Sequence, residues 1–158
     1  MATHVADRIL AALKSQLAVT MGASVVHLVP LHMIDAGTLP VVIIDQVRDT
    51  VTESTGVFPV YQTHRLEMTV RLCIMATEST FDAALGTLHE AVSKALTGTA
   101  SAITLGNILT RGLRIDGEEL FADAESLQKP VGGWAIAVSC IYNTRSDQPG
   151  NFEKELTP

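Results

Sequence analysis

The chain has 158 residues, of which 47% are hydrophobic, and it carries a formal charge of −6 at neutral pH. This length suits one domain that can bury an adequate core, and no window reaches the roughly 18 consecutive apolar residues of a membrane span. The 11 Lys and Arg residues form no run, which argues against a protein that holds nucleic acid by its phosphates.

Mean hydropathy is high for a soluble monomer, at +0.28, and the surplus of apolar residues suits subunit interfaces. The opening residues MATHVADRIL lack the basic cluster and apolar core of a signal peptide, so we expect synthesis in the cytoplasm. Cys73 and Cys140 fall in strand-like segments at unrelated spacing. We interpret them as buried, reduced thiols rather than as a disulfide.

The first predicted element is an amphipathic helix from Thr3 to Val19. Its apolar residues recur every four positions, which is typical of a helix with one buried side. Thr3 can cap the first turn, and Gly22 follows the end. The stripe consists of Val5, Ile9, Leu13 and Leu17.

A long hairpin is predicted next, after a short strand at 24–29 and a loop at 31–39. Val41 to Ile44 is apolar on both faces and then continues as a polar arm. Together, 40–52 and 60–76 exceed the usual strand length of about five or six residues. We therefore expect the hairpin to project from the body, with Val57 and Phe58 exposed at its tip.

The second strand of that hairpin has the clearest pattern in the chain. From Arg65 to Met75, apolar and polar residues alternate with the period of a strand that is buried on one face. The apolar set is Leu66, Met68, Val70, Leu72 and Ile74, and the other set is Arg65, Glu67, Thr69, Arg71 and Cys73. The apolar face needs a covering layer, which two helices can supply.

The second helix is predicted from Ser79 to Leu96, with Ser79 and Asp82 as a capping pair. Its stripe consists of Phe81, Leu85, Leu88, Val92 and Leu96. The segment 99–110 fits either a short irregular helix or a loop. Extended structure is predicted at 113–124 around a turn at Asp116-Gly117, followed by a strand at 131–142.

These elements predict the α+β class. We expect one domain over 1–145, with a mostly antiparallel or mixed sheet of four to five strands and two helices on one face. The tail 146–158 is rich in polar residues and is predicted to be flexible. Phe152 is one residue by which a neighbouring molecule could anchor it.

No residue pattern predicts a catalytic, cofactor-binding or metal site, and we expect no enzyme activity. The pair His27 and His32, with Asp35 nearby, lacks the spacing of a zinc site. No G-x-S-x-G elbow or phosphate-binding glycine loop occurs. Glu118 and Glu119 are neighbours in a predicted strand, so they point to opposite faces and form no acid and base pair.

Subunit contacts are the favoured role for the polar strand face and the hairpin. Alternating charges on a sheet face occur on ordinary solvated sheets, but they also select partners and register in assemblies. The predicted interface residues are Arg48, Asp49, Val57, Phe58, Arg65, Glu67, Arg71 and Phe152.

Several phrases, in this order and spacing, resemble the tail-terminator or tail-completion proteins of long-tailed bacteriophages, which are also called minor tail proteins. They cover residues 3 to about 150. They are RILAALKSQL, LPVVIID, HRLEMTVRLCIMA, FDAALGTLHEAVSKAL, TLGNILTRGL and PVGGWAIAVSCIYNTRSDQPG.

The resemblance implies a structural virion protein without a cofactor, located at the head-proximal end of the tail. It would form a homo-oligomeric ring, usually a hexamer, that caps the tail-tube protein, stops tube growth and meets the head-completion or connector protein. DNA would pass through the lumen without specific binding, and no membrane is involved. The alternatives are a head–tail joining protein or, outside this class, a small-molecule or metal-binding α+β domain.

Overall fold

The computed structural model describes residues 4–28, 33, 39–75, 81–109, 111–123 and 131–153. These residues contain three helices and six strands. The helices are α1 (Val5–Met21), α2 (Phe81–Thr97) and α3 (Ala100–Ile103). The strands are β1 (Val26–His27), β2 (Val41–Ser54), β3 (Tyr61–Met75), β4 (Leu113–Asp123), β5 (Val131–Arg145) and β6 (Gln148–Glu153).

The strands form one mixed sheet in the order β1-β2-β3-β5-β4, and β6 pairs with the end of β5 beyond β4. β1 runs parallel to β2, whereas the other pairs are antiparallel. Five strands on one path with two long helices confirm the predicted α+β class. The sixth strand is short and was not predicted.

The buried layer lies between the sheet and the two long helices, which both cover the same face. All five apolar residues of the alternating β3 segment are at most 4% exposed, as predicted. The stripe of α1 is also fully buried, and four of the five stripe residues of α2 are buried, while Phe81 packs against them. The side chain of Gln16 in α1 donates to the carbonyls of Ala95 and Ala102 and thereby ties α1 to α2 and α3.

The opposite face, here called the open face, carries a small apolar cluster at one end. Val41, Ile43 and Cys73 are fully buried there, with Leu39 and Phe121 against them. Cys73 and Cys140 are both buried, as expected, and they lie on opposite faces of the sheet. No helix among the described residues combines the length and the apolar character needed to cross a bilayer.

Individual residues define the ends of α1 and the close approach of two strands. His4 caps α1, with its Nδ1 accepting from the N–H of Ala6 at 3.2 Å, whereas Thr3 and Ser79, the predicted caps, lie outside the described residues. Gly22 ends α1 as predicted, with φ at 95°. A Cβ on Gly133 would lie 1.6 Å from the Leu72 carbonyl oxygen, so glycine is required for this close approach of β5 to β3.

Two predictions about the C-terminal half are wrong. Asp116 and Gly117 form no turn, because β4 runs through them with a β-bulge between Ile115 and Gly117. A bulge admits one extra residue without ending the strand. The tail is not free from residue 146, since β6 pairs with β5 at Asn143 and Arg145; residues 154–158 lie outside the described part.

Leu72→Asp should unfold the subunit, because Leu72 is fully buried in the layer between β3 and the helices. An unpaired buried charge costs several kcal/mol, on the order of the whole stability of a small domain. Circular dichroism and thermal melting measure the loss. Val51→Asp is the control, because Val51 is 46% exposed on the neighbouring strand; a Leu72→Asp protein that melts like this control contradicts the register described here.

Candidate functional site

The tip of the β2–β3 hairpin is the most exposed apolar feature of the sheet. Val57 is 77% exposed and Phe58 is 79% exposed, as the sequence predicted. Hydrogen bonds brace the chain on either side of them: Thr55 N–H donates to the Tyr61 carbonyl at 2.9 Å, and Ser146 N–H donates to the Val60 carbonyl at 2.8 Å. The two side chains are therefore held in water by an ordered backbone.

A β-bulge in β2 decides which residues of the arm reach each face. The register shifts between Gln46 and Arg48, so Val47 is the extra residue and the alternation changes by one position. Arg48, predicted to be an interface residue, lies opposite Glu67 on the open face. Asp49, also predicted to be an interface residue, turns to the helix side instead, opposite Leu66.

Asp49 belongs to a polar cluster on the helix side that the sequence analysis missed. Its Oδ2 accepts from the Tyr142 hydroxyl at 2.5 Å, and its Oδ1 lies 3.3 Å from His64 Nδ1. His64 Nε2 lies 3.1 Å from Thr144 Oγ1, and the rings of His64 and Tyr142 stack at 4.7 Å. The cluster thus joins β2, β3 and β5 between the apolar core and the hairpin tip.

Thr144, His64 and Asp49 have the hydroxyl, imidazole and carboxylate order of a nucleophilic triad. In the tautomer with the proton on Nδ1, His64 donates to Asp49 and accepts from Thr144. Thr144, however, is only 7% exposed, and Asp49 also holds Tyr142. The arrangement therefore suits a structural cross-link of the hairpin better than attack on a substrate.

Burial and the Asp49 charge suppress ionisation near this cluster. Burial raises the pKa of Tyr142 above its usual range, helped by its hydrogen bond to Asp49 and by that negative charge. Burial, followed by the charge of Asp49, raises the pKa of Cys140 to about 12. Tyr142 therefore remains a hydrogen-bond donor, and the Cys140 thiol remains protonated, across the physiological pH range.

The open face carries the other predicted charges. Arg65 lies 3.3 Å from both Glu67 and Asp116, and Arg71 lies 3.3 Å from Asp45. The side chains of Arg65 and Arg71 each remain 42% exposed. Exposed pairs of this kind contribute about 0–1 kcal/mol to stability, so these charges are more informative as a recognition pattern than as a source of stability.

Glu118 and Glu119 follow the bulge in β4 between Ile115 and Gly117. Glu118 turns to the helix side and lies 2.9 Å from His89 of α2, whose ring contacts Trp134. Glu119 lies on the open face, where it lines a depression of about 330 Å³ with Thr69 and Ala137. The two carboxylates therefore point to opposite faces, as expected.

The remaining predicted residues fall partly outside the described chain. His27 lies in β1, whereas His32 and Asp35 are outside the described residues, so the structure does not test the histidine pair. Among the described residues, no three His, Cys, Asp or Glu side chains converge as metal ligands do. The backbone of Phe152 belongs to β6, but its side chain lies outside the described part.

The missed cluster had one signal in the sequence. His64 and Tyr142 continue the buried alternations of β3 and β5 by one step, after Leu66 and Cys140. Polar residues in buried register require hydrogen-bond partners. The bulge that supplies Asp49 as the partner has no comparable signature.

No protein-family model matches the chain, and no curated protein sequence is significantly similar to it.

Tyr142→Phe should lower the free energy of unfolding by about 1–3 kcal/mol at neutral pH, because Asp49 loses a donor in a mostly buried site. It should also flatten the alkaline decline in stability. A tyrosine whose folded pKa is raised contributes stability below its unfolded pKa of about 10 and loses that contribution as the pH rises further. Urea unfolding at roughly pH 7 and pH 11 measures both effects.

Tyr61→Phe is the matched control, since Tyr61 lies on the same hairpin and is only partly buried. Equal stability of Tyr142→Phe and wild type at both pH values would show that the hydrogen bond to Asp49 contributes little.

Proposed function

We propose that this chain is a structural protein that assembles with copies of itself into a ring of the phage tail-terminator type. The exposed apolar tip of a long, braced hairpin is the observation that carries the proposal. Two large apolar side chains in water cost free energy that contact with a partner recovers. The resemblance of the sequence to tail-terminator proteins indicates which kind of ring we propose.

The edge of β2 supports self-assembly. β2 has 14 residues, yet among the described residues β1 pairs only with Val42 and Ile43. Within the described part of the chain, the backbone from Ile44 to Ser54 therefore has no strand partner on the side away from β3. Exposed edges tend to pair with other chains, and a closed ring of head-to-tail contacts limits that growth.

The open face supports a role in partner choice. Its arginines and carboxylates alternate in sign across β2, β3 and β4, and they are half-exposed. Charges at the rim of an interface set register and specificity more than affinity. The net charge of −6 suits a lumen through which DNA passes without being retained, because like charges repel.

In this proposal, the ring caps the end of the tail tube and stops its polymerisation. One surface meets the tube protein, and another meets the head-completion or connector protein. The protein acts in the virion, after synthesis in the host cytoplasm, and it needs no cofactor, membrane or catalytic residue.

Purified wild-type protein should form closed rings, with six subunits as the expected number. Size-exclusion chromatography with light scattering gives the mass, and negative-stain microscopy shows the ring. Addition of tail-tube protein during tube polymerisation should shorten the tubes. A strict monomer at high concentration that has no effect on tube length would overturn the proposal.

Arg71→Glu should weaken ring assembly and leave the fold intact, and Arg65→Glu should behave similarly. Each reversal places a negative charge beside carboxylates on the open face, where it opposes the complementary pattern of a neighbour. Sedimentation velocity measures assembly, and thermal melting reports the fold. Lys94→Glu is the control, because Lys94 also forms an exposed ion pair, with Glu90, but on α2. If Arg71→Glu and Arg65→Glu formed rings in the same yield as Lys94→Glu, the open face would not be part of the subunit interface.

A further inference from the structure

The hairpin tip has a candidate receptor on the same molecule. An apolar pocket of about 140 Å³ lies between the start of α2 and the base of the hairpin. It is lined by Leu39, Pro40, Ile74, Met75, Ala84 and Leu88. Every one of these side chains is apolar, so the pocket favours an apolar ligand.

The size of the pocket matches one aromatic side chain. An engineered cavity of about 150 Å³ with a similar apolar lining accepts benzene. Phe58 ends in a benzyl group, is 79% exposed, and has Val57 beside it. The burial of an aromatic anchor in a fitted pocket is the usual origin of a binding hot spot.

Tip and pocket lie at opposite ends of the same strands. The tip connects Ser54 to Tyr61, whereas Leu39 and Met75 mark the other end of the hairpin. At about 3.3 Å per residue, 14 residues place them roughly 45 Å apart. A rigid hairpin cannot bend back over that distance, so the tip of one molecule can reach only the pocket of another.

We infer that the tip of each copy inserts Phe58 into the Leu39–Ala84 pocket of the next copy, in a head-to-tail contact. A projecting apolar group and a pocket elsewhere on the same molecule produce this heterologous contact, which closes into a ring when the rotation between copies permits. The tip acts as the anchor. The edges of the hairpin supply the rest of the roughly 800 Å² per partner that a stable interface needs. The inference rests on the proposed ring and names the surfaces that join its subunits.

Two single variants and their mixture test the contact. Phe58→Asp removes the tip anchor, and Ala84→Trp fills the pocket from an exposed position of α2. Each variant alone should be a folded monomer by light scattering and melting. Phe58→Leu keeps an apolar tip and should still form rings.

The mixture distinguishes a head-to-tail contact from other assemblies. Phe58→Asp retains its pocket and Ala84→Trp retains its tip, so an equimolar mixture should form 1:1 dimers that cannot grow. Differently sized tags on the two variants allow native mass spectrometry to identify the dimer. A mixture that stays monomeric would show that tip and pocket do not meet, and would overturn the inference.

The remaining outcomes separate this inference from the proposed function. If wild type and Phe58→Asp both form rings, the ring stands but the tip serves another partner, such as the tube protein, and the inference fails. If Ala84→Trp forms rings, the pocket is not the receptor, and the inference also fails. A wild-type protein that stays monomeric at high concentration overturns the inference, and it overturns the proposed function as well if it has no effect on tube length.

Discussion

The antiparallel pairing of β3 with β5 is the constraint on which the other features depend. Fifteen residues of each strand pair without a register shift, from Tyr61 with Arg145 to Met75 with Val131. From Leu66 to Ile74 of β3, one face of this pair is apolar and is covered by α1 and α2. A slip of one residue would move the buried side chains of the strand to the solvent face. The buried core and the pairing of β3 with β5 therefore specify each other. In this register the Gly133 backbone lies so close to the Leu72 carbonyl oxygen that a Cβ has no room.

The outer strands follow this central pair but depart from its alternation by bulges. In β2, the extra residue Val47 sends Asp49 to the helix side, where it meets Tyr142 and His64. In β4, the bulge before Gly117 directs Glu118 to His89 and leaves Glu119 on the open face. These bulges therefore place polar side chains of β2 and β4 beside specific partners on the helix side of the sheet as well as on the open face.

The polar cluster links the stable body to the projecting hairpin. The apolar core on the helix side ends near Leu66 and Cys140, and the next step along both strands is His64 with Tyr142. Hydrogen bonds to Asp49 and Thr144 replace apolar packing there. A hairpin braced in this way loses little conformational entropy when it docks, which favours binding by a preorganised tip. The same bracing explains how two apolar side chains can be held in water at the far end.

Periodicity alone was sufficient for the α+β class, both long helices, the long hairpin with its exposed tip, and the buried face of β3. Local patterns determine those features because each buried face repeats with the period of its own element. The Asp49 cluster, the bulge in place of a turn at Asp116, and the pairing of β6 were decided only by tertiary structure. These depend on which strands lie side by side, and a bulge changes the facing of every later residue without leaving a mark in composition. The apolar pocket likewise exists only where Leu39, Met75 and Ala84, distant in the chain, come together.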